Sequence, residues 1–262
     1  MRFTKMHGLG NDFLLAEGPV PENAARLCAA LCDRRFGVGA DGVIFVSPSQ
    51  TADCSMNIFN ADGSEAGMCG NGIRCVGKFL YDRGMTRKDR LTVETRSGVK
   101  ALRLRIENGR AVGAAVDMGR VRSTGAPVIL PDGMGTGIPV SVGNPHLVIF
   151  TDDAETLPLS VLGPAIERDP RFPGGINAEF VRVLSGTKLR MRVWERGCGV
   201  TPACGTGACA SVFAAVKEGL CPAERPVEVV LDGGSLFITV RADDSVTMEG
   251  PAATVFEGEV DI

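Results

Sequence analysis

The sequence has no block of lysines and arginines, no long apolar run, no C-x-x-C pair and only two histidines. Each absence closes off a class of function. Basic residues number 28 against 31 acidic ones, a net charge of −3 spread along 262 residues, so nucleic acid is not an expected partner. The apolar runs are short and interrupted, so no membrane span is expected. The opening M-R-F-T-K-M-H alternates charged and apolar residues and reads as a strand, without the continuous apolar core of a signal peptide. His7 and His146 lie far in sequence from the cysteines, which leaves no clustered ligand set for a structural metal.

What the chain does have is cysteine, nine in all, together with 34 glycines. Nine thiols without a signal peptide point to a reducing, cytoplasmic compartment. Cys28 and Cys32 share an apolar helix face, and Cys54 sits on an alternating strand. Cys75 and Cys209 fall inside helices, Cys221 follows one, and Cys198 lies in a glycine-rich loop. All seven read as packing residues or bystanders. Two others differ. Residues 68–76 are M-C-G-N-G-I-R-C-V and residues 203–211 are A-C-G-T-G-A-C-A-S, so Cys69 and Cys204 each stand before a glycine-rich turn that opens a helix.

Helix signals are few. One helix is expected from Pro21 to about Arg34, one from Cys69 to a stop at Gly84, a weaker one over residues 159–167, and a nearly all-apolar one after Cys204. Short β-branched or alternating runs make up much of the rest: 43–46, 91–95, 102–106, 147–150, 180–184, 189–193, 227–231 and 236–240. Asn108-Gly109 and Asp232-Gly233 have hairpin-turn chemistry. Strands following strands, with few helices between, indicate an α+β fold with mostly antiparallel or mixed sheets. The spacing also repeats. Asn11 precedes Cys69 by 58 residues and Asn144 precedes Cys204 by 60, while Asn60 and Glu195 each stand nine residues before their cysteine. Three landmarks in register indicate internal duplication, with two similar α/β domains whose sheets each wrap a buried helix. The expected domains are residues 1–118 plus a C-terminal strand at 251–262, carrying Cys69, and residues 119–250, carrying Cys204.

A helix N-terminus offers N–H groups without intrahelical partners and the positive end of a dipole. A thiol there is expected to ionise more readily, and the adjacent glycines let a carboxylate approach the backbone. Two such sites facing each other could flank one carbon. One thiolate would remove a proton from one face and one thiol would supply a proton to the other, inverting the centre without a cofactor.

The stretches K-M-H-G-L-G-N-D-F (5–13), G-V-G-A-D-G (37–42), F-N-A-D-G-S-E (59–65), M-C-G-N-G-I-R-C (68–75), G-N-P-H (143–146), I-N-A-E-F (176–180) and W-E-R-G-C-G-V-T-P-A-C-G-T-G (194–207) resemble the diaminopimelate epimerase family over essentially the whole chain. The resemblance implies a cofactor-independent, metal-free isomerase that interconverts LL- and meso-diaminopimelate, on the route to lysine and peptidoglycan. It implies two similar α/β domains with the site in the cleft between them, and a homodimer. It assigns Cys69 as proton donor and Cys204 as acceptor, roles that swap for the reverse direction. Gly70, Asn71, Gly205 and Thr206 become the cradle for the reacting carboxylate. Asn11, Asn60, Asn144, Asn177, Glu195 and Arg196 become the remaining substrate contacts, with Arg196 suited to grip the distal carboxylate as a fork and Glu195 to meet the distal ammonium. His146 and Glu195 match positions that tune the thiols.

The chain departs from some family members at two positions. Gly42 stands where they have a substrate-binding Gln, and Phe256 where they have a Tyr at the dimer contact. A proline racemase would use the same two-thiol logic, but its second motif reads D-R-S-P-C-G-T-G, without the E-R-G of this chain. A related isomerase branch lacks the cysteine pair. A non-enzymatic redox or amino-acid-binding protein would explain reactive thiols but not the cluster of Asn11, Asn60, Asn144, Asn177 and Arg196. Exchange of solvent protons into diaminopimelate separates these alternatives.

Overall fold

The computed structural model describes residues 1–130 and 135–261. Ile262, the last residue of the expected C-terminal strand, lies outside them. The chain divides into two compact units, one formed by Met1–Val116 with the chain from Gly250 onward, the other by Asp117–Glu249.

In the first unit the order is β1 (Arg2–Gly8), β2 (Asn11–Glu17), α1 (Ala24–Cys32), β3 (Gly42–Ser47), β4 (Cys54–Asn60), β5 (Glu65–Ala66), α2 (Gly70–Asp82), β6 (Arg90–Thr95), β7 (Gly98–Glu107) and β8 (Arg110–Arg120). Two short strands follow, β9 (Arg122–Ser123) and β10 (Val128–Ile129). The second unit continues with β11 (Thr136–Ser141), β12 (Pro145–Phe150), α3 (Leu159–Glu167), β13 (Asn177–Ser185), β14 (Lys188–Glu195), β15 (Gly199–Val200), α4 (Gly205–Lys217), β16 (Val227–Leu231), β17 (Gly234–Val240) and β18 (Ser245–Pro251). The last strand, β19 (Ala253–Glu259), pairs antiparallel with β1 in the first unit.

The pairing of strands shows the duplication element by element. β1 and β2 are antiparallel, as are β11 and β12. β2 runs parallel to β3, and β12 parallel to β13. β3–β4 and β13–β14 are antiparallel, whereas β4–β6 and β14–β16 are parallel. Hairpins β6–β7 and β16–β17 complete the match. The helices agree too: α1 and α3 have nine residues each, and α2 and α4 have thirteen.

Helices α2 and α4 are poor helix formers by composition. Each opens on glycine, and α2 contains three. Tertiary burial holds them, since nearly every residue from Gly70 to Leu80 and from Gly207 to Ala215 is buried. α2 ends as the sequence indicates, with Gly84 at φ +72 and its amide bonded to the Tyr81 carbonyl. Under α1 lies an apolar cluster that includes Leu14, Leu27, Cys28, Leu31, Val43 and Phe45. Leu147, Ile149, Leu159, Ile166 and Phe180 do the same under α3.

One local expectation changes, and both expected hairpin turns form. α1 begins at Ala24, because Pro21 sits in a preceding turn whose carbonyl accepts the Ala24 amide rather than at the first helical position. The two hairpin turns also differ from one another. Asn108 and Gly109 both take positive φ, 50 and 74, as a type I′ turn requires. At Asp232-Gly233 the left-handed demand moves to the next residue, Gly234, at φ +130.

One contact in the second unit invites a stability test. A Cβ placed on Gly163 of α3 would lie 2.2 Å from Cγ of Trp194, the only tryptophan in the chain. That ring has little freedom to yield, because its Nε1 donates to Glu167 Oε2 at 2.6 Å. Gly163→Ala is expected to lower stability by about 1–3 kcal/mol, the cost of overpacking. Tryptophan fluorescence should report it as a lower denaturant midpoint, and an unchanged midpoint would show that the contact is loose.

Candidate active site

Cys69 and Cys204 are the N-caps of α2 and α4, and their local geometry is nearly the same. Cys69 has φ −133 and ψ 120, and its Sγ accepts the Gly72 amide at 3.5 Å. Cys204 has φ −116 and ψ 110, and its Sγ accepts the Gly207 amide at 3.4 Å. Extended backbone at the cap with a side chain bonded to the third helical amide is the usual N-cap arrangement, here made by sulfur. Each sulfur therefore sits at a helix mouth, beside the leading amides of Gly70-Asn71 or Gly205-Thr206.

In the first unit Asn11 Oδ1 faces the Cys69 sulfur at 3.6 Å and accepts from Asn71 Nδ2 at 3.2 Å. The Asn11 amide is held from behind, where its Nδ2 donates to Asp41 Oδ2 at 2.9 Å. Arg34 fixes Asp41 in turn and reaches Asp12, at 2.8 Å to each, while Lys5 meets Asp12 at 2.9 Å. Burial opposes ionisation of Asp12, but Arg34 and Lys5 together hold its carboxyl below the usual range. Arg74 is wholly buried; it donates to Gly70 O and Asn71 Oδ1, both at 2.9 Å, and to Pro251 O at 3.1 Å. Asn60, at the end of β4, is exposed and donates to Ser64 Oγ at 3.0 Å.

In the second unit Asn144 Nδ2 donates to Thr206 Oγ1 at 3.3 Å, and that hydroxyl lies 3.6 Å from Cys204 Sγ. His146 bridges Asn144 Oδ1, at 3.0 Å from Nε2, and Glu179 Oε1, at 2.7 Å from Nδ1. Asn177 donates to the Pro145 carbonyl at 3.0 Å and accepts the Arg196 amide at 2.8 Å. The Arg196 guanidinium donates to Gly174 O at 2.7 Å and is exposed. Glu195 accepts from the Thr201 hydroxyl.

Of the sequence-derived candidates, Asn11, Gly70, Asn71 and Cys69 gather around the mouth of α2. Asn144, His146, Gly205, Thr206 and Cys204 gather around that of α4, with Asn177, Glu195 and Arg196 beside them. Phe256 stands apart on β19, half-exposed and edge-on to Phe3 at 5.9 Å between ring centroids. A Cβ on Gly42 would lie 2.5 Å from the Phe59 carbonyl oxygen, so a glutamine fits there only if β4 moves.

The sequence reading missed Asp41, Arg34, Arg74 and Glu179. Only Glu179 left a local signal, a charge inside the apolar run of β13. Among the described residues, no group of three or more His, Cys, Asp or Glu side chains is arranged to hold a metal ion.

The expectation of a readily ionised thiol fails at Cys204. Burial pushes this thiol well above the usual range, the negative charges of Glu195 and Glu179 add to the shift, and the bonds from Thr206 and the Gly207 amide only partly oppose it. The magnitudes explain the outcome. A helix terminus contributes about 0.3–1 kcal/mol to a nearby charge, under one pKa unit, whereas full burial shifts a group by as much as 3–5 units. Glu195 is raised as well, by burial first. Among the thiols read as packing, burial pushes Cys28, Cys54 and Cys75 up to about 12, as expected of inert core cysteines.

The family model for diaminopimelate epimerase matches residues 3–124 and 138–255. A diaminopimelate epimerase from Pelotomaculum thermopropionicum is 49% identical over 277 residues, covering 99% of this chain and 98% of the relative. One from Bacteroides thetaiotaomicron is 45% identical over 264 residues, covering 100% and 98%. Among solved structures, a hydroxyproline epimerase from Agrobacterium vitis with bound trans-4-hydroxy-L-proline superposes with TM-score 0.73 at 18% identity, covering 99% of this chain and 90% of that one. A PhzF-family phenazine biosynthesis protein from Bacillus anthracis gives 0.75 at 18%, covering 100% and 99%. At such identities the two structures speak for the fold alone.

The electrostatics of Cys204 can be tested without a catalytic assay. In Glu195→Gln a neighbouring negative charge is lost, so the thiolate becomes less costly. The pH midpoint for alkylation of Cys204 by iodoacetamide, read by peptide mass mapping, is expected to move downward. A midpoint that stays put or rises would show that Glu195 does not act on this sulfur.

Proposed function

The chain belongs to the diaminopimelate epimerase family, and on that premise we propose that it interconverts LL- and meso-diaminopimelate with Cys69 and Cys204 as its two proton carriers. The observation that carries the assignment is the repeated cap: two thiols, one per unit, each bonded to the third amide of a thirteen-residue helix. Inverting an α-carbon without a cofactor needs one base and one acid on opposite faces. A thiolate removes the α-proton as a carbanion develops, and a thiol on the other face supplies a proton to it. In one direction Cys69 donates and Cys204 accepts; in the other they exchange roles.

The helix mouths supply what the carbanion needs. The leading amides at Gly70, Asn71, Gly205 and Thr206 are suited to receive the α-carboxylate, where partial positive charge lowers the cost of negative charge spreading from the carbon. Their orientation is fixed before substrate arrives, since Arg74 braces Gly70 and Asn71 from beneath and Asn144 holds Thr206. Asn11, Asn60, Asn144 and Asn177 complete the substrate contacts. Glu195 meets the distal ammonium and Arg196 the distal carboxylate, where a planar fork reads a carboxylate that a point charge would not. His146 and Glu195 tune the thiols. With Cys204 raised, its resting form is the neutral thiol, so it becomes a base only when substrate charge or a neighbouring proton acceptor offsets the burial.

No helix among the described residues is long and apolar enough to cross a membrane. The cysteine usage supports a reducing, cytoplasmic setting. Phe256 and Val255, both about half-exposed on β19, support a homodimer that buries this strand. Sedimentation of the native chain should give a dimer that Phe256→Asp weakens; an unaffected dimer would place the contact elsewhere.

Catalysis is tested in deuterated water with LL-diaminopimelate. The native enzyme is expected to epimerise it and to incorporate α-deuterium, with L-proline as an inert control. Cys69→Ala and Cys204→Ala should each abolish epimerisation. Near-normal turnover by either variant would overturn the two-thiol assignment. In the same assay Arg196→Lys is expected to lower kcat/KM for diaminopimelate, because a point charge cannot replace the planar fork. If substrate buries the pair, the loss is roughly 2 kcal/mol or more, about 30-fold. Normal binding and turnover would overturn the distal-carboxylate role.

A further inference from the structure

Glu179 is fully buried in β13, and its Oε2 has no hydrogen-bond partner among the described residues. Leaving a buried carboxylate oxygen unpaired is costly, and such groups call for a functional account. Its other oxygen, Oε1, sits 2.7 Å from His146 Nδ1, and both side chains are wholly excluded from solvent. A Cβ placed on Gly207 would lie 2.8 Å from Oε1, so the carboxylate is packed directly beneath the first turn of α4.

The duplication shows that the fold does not require this arrangement. In the first unit Phe13 pairs with Gly42 across β2 and β3; in the second His146 pairs with Asn177 across β12 and β13. Two residues farther along β3 and β13 stand Ile44 and Glu179. Gly72, the equivalent of Gly207, would direct its Cβ to 2.8 Å from Ile44 Cδ1. Ile44 and Glu179 thus fill the same place beneath the two helix mouths, and Phe13 and His146 occupy the same register position on the neighbouring strands. Where an isoleucine suffices for packing, a buried carboxylate has a different task.

At Nδ1 His146 has Glu179 Oε1 at 2.7 Å and, much farther off, Asn177 Nδ2 at 3.5 Å, so the carboxylate is the closer partner. From Nε2 a chain runs on to Asn144 Oδ1, from Asn144 Nδ2 to Thr206 Oγ1, and from Thr206 Oγ1 to Cys204 Sγ, at 3.0, 3.3 and 3.6 Å. We infer that Glu179 is the positioning residue of this chain: its carboxylate holds a proton on His146 Nδ1 and so makes Nε2 the nitrogen that gains and loses a proton toward Asn144, Thr206 and Cys204. With Nε2 protonated, donors run outward through Asn144 and the Thr206 hydroxyl to the sulfur and favour its thiolate. With Nε2 bare, the Asn144 amide turns over and the run of donors reverses, favouring the thiol. Without Glu179 neither imidazole nitrogen is fixed as the proton-bearing one, and the chain loses its direction. Glu179 on β13 touches His146, Glu195 on β14 interacts with it electrostatically, and both carboxylates bear on Cys204 at the cap of α4.

The inference deepens the two-thiol reading, and its first test does not depend on turnover. Two-bond 15N–1H spectra of histidine-labelled full-length protein, assigned by comparison with His146→Asn, identify which imidazole nitrogen carries the proton. Native protein is expected to show His146 protonated at Nδ1 at every pH from about 6 to 9. A neutral imidazole with its proton on Nε2 would overturn the inference, whatever the enzyme's activity. The second test uses Glu179→Gln, which keeps the shape, and Glu179→Ile, which copies the other repeat. In folded variants kcat is expected to fall roughly 10–100-fold, as when residues that orient a histidine from behind are removed, with a smaller change in KM. Unchanged kcat in either folded variant would also overturn it. Near-normal turnover by Cys69→Ala or Cys204→Ala would sink the two-thiol reading and leave the NMR outcome standing, so the two failures are distinguishable.

Discussion

In each unit the cysteine that caps the helix is followed three residues on by a glycine with little room for a side chain. That constraint organises both units. The sulfur accepts the amide of Gly72 or Gly207, so the first turn must lie close over the sheet, and a strand side chain fills the space where a Cβ would otherwise project. At Gly72 the neighbours are Ile44 and Met56; at Gly207 the neighbour is Glu179. A methyl group at either glycine would lift the turn, disturb the amide-to-sulfur bond and move the amides suited to a carboxylate. The helices themselves have little intrinsic tendency to form, and burial on nearly every side gives them their place.

Duplication supplied the scaffold twice, and the chemistry then diverged at register-equivalent positions. At the positions equivalent by register and spacing the first unit has Phe13, Ile44 and Asn60, with Ile44 against the first turn of α2. The second has His146, Glu179 and Glu195 in the corresponding places. The titratable groups are thus concentrated around Cys204. Two thiols related by duplication need unlike surroundings if one is to hold a proton while the other takes one, because identical environments would give both the same preference. The raised Cys204 thiol is one consequence. In the first unit the charged side chains that surround the site are Arg74, buried against Gly70 and Asn71, and the group of Arg34, Asp41, Asp12 and Lys5, of which Asp41 holds the Asn11 amide.

The glycines at the two helix mouths therefore serve close packing as well as access to the backbone. The other departures from pattern follow the same steric logic. Gly42 lies against the Phe59 carbonyl, and Gly163 against the ring of Trp194, whose indole nitrogen is held by Glu167. Glu167 also accepts the Gly197 amide at 3.1 Å. α3 thereby ties down the loop that follows Glu195 and Arg196, although its sequence signal was the weakest of the four helices.

The sequence by itself determined the α+β class, the four helices, most strands and the duplication, because periodicity, turn chemistry and spacing are local properties of the chain. It also marked Cys69, Cys204, Asn11, Asn144 and His146 through motifs short enough to be seen in one stretch. Tertiary structure alone decided the rest. Glu179 meets His146 only because β12 and β13 run parallel with His146 level with Asn177, and a pairing between residues 33 positions apart has no local signature. Asp41 reaches Asn11 through the same kind of parallel pairing between β2 and β3. The protonation of Cys204 was settled at this level too. The helix mouth, visible in the sequence, favours the thiolate weakly, whereas burial and two carboxylates brought in from other strands oppose it more strongly.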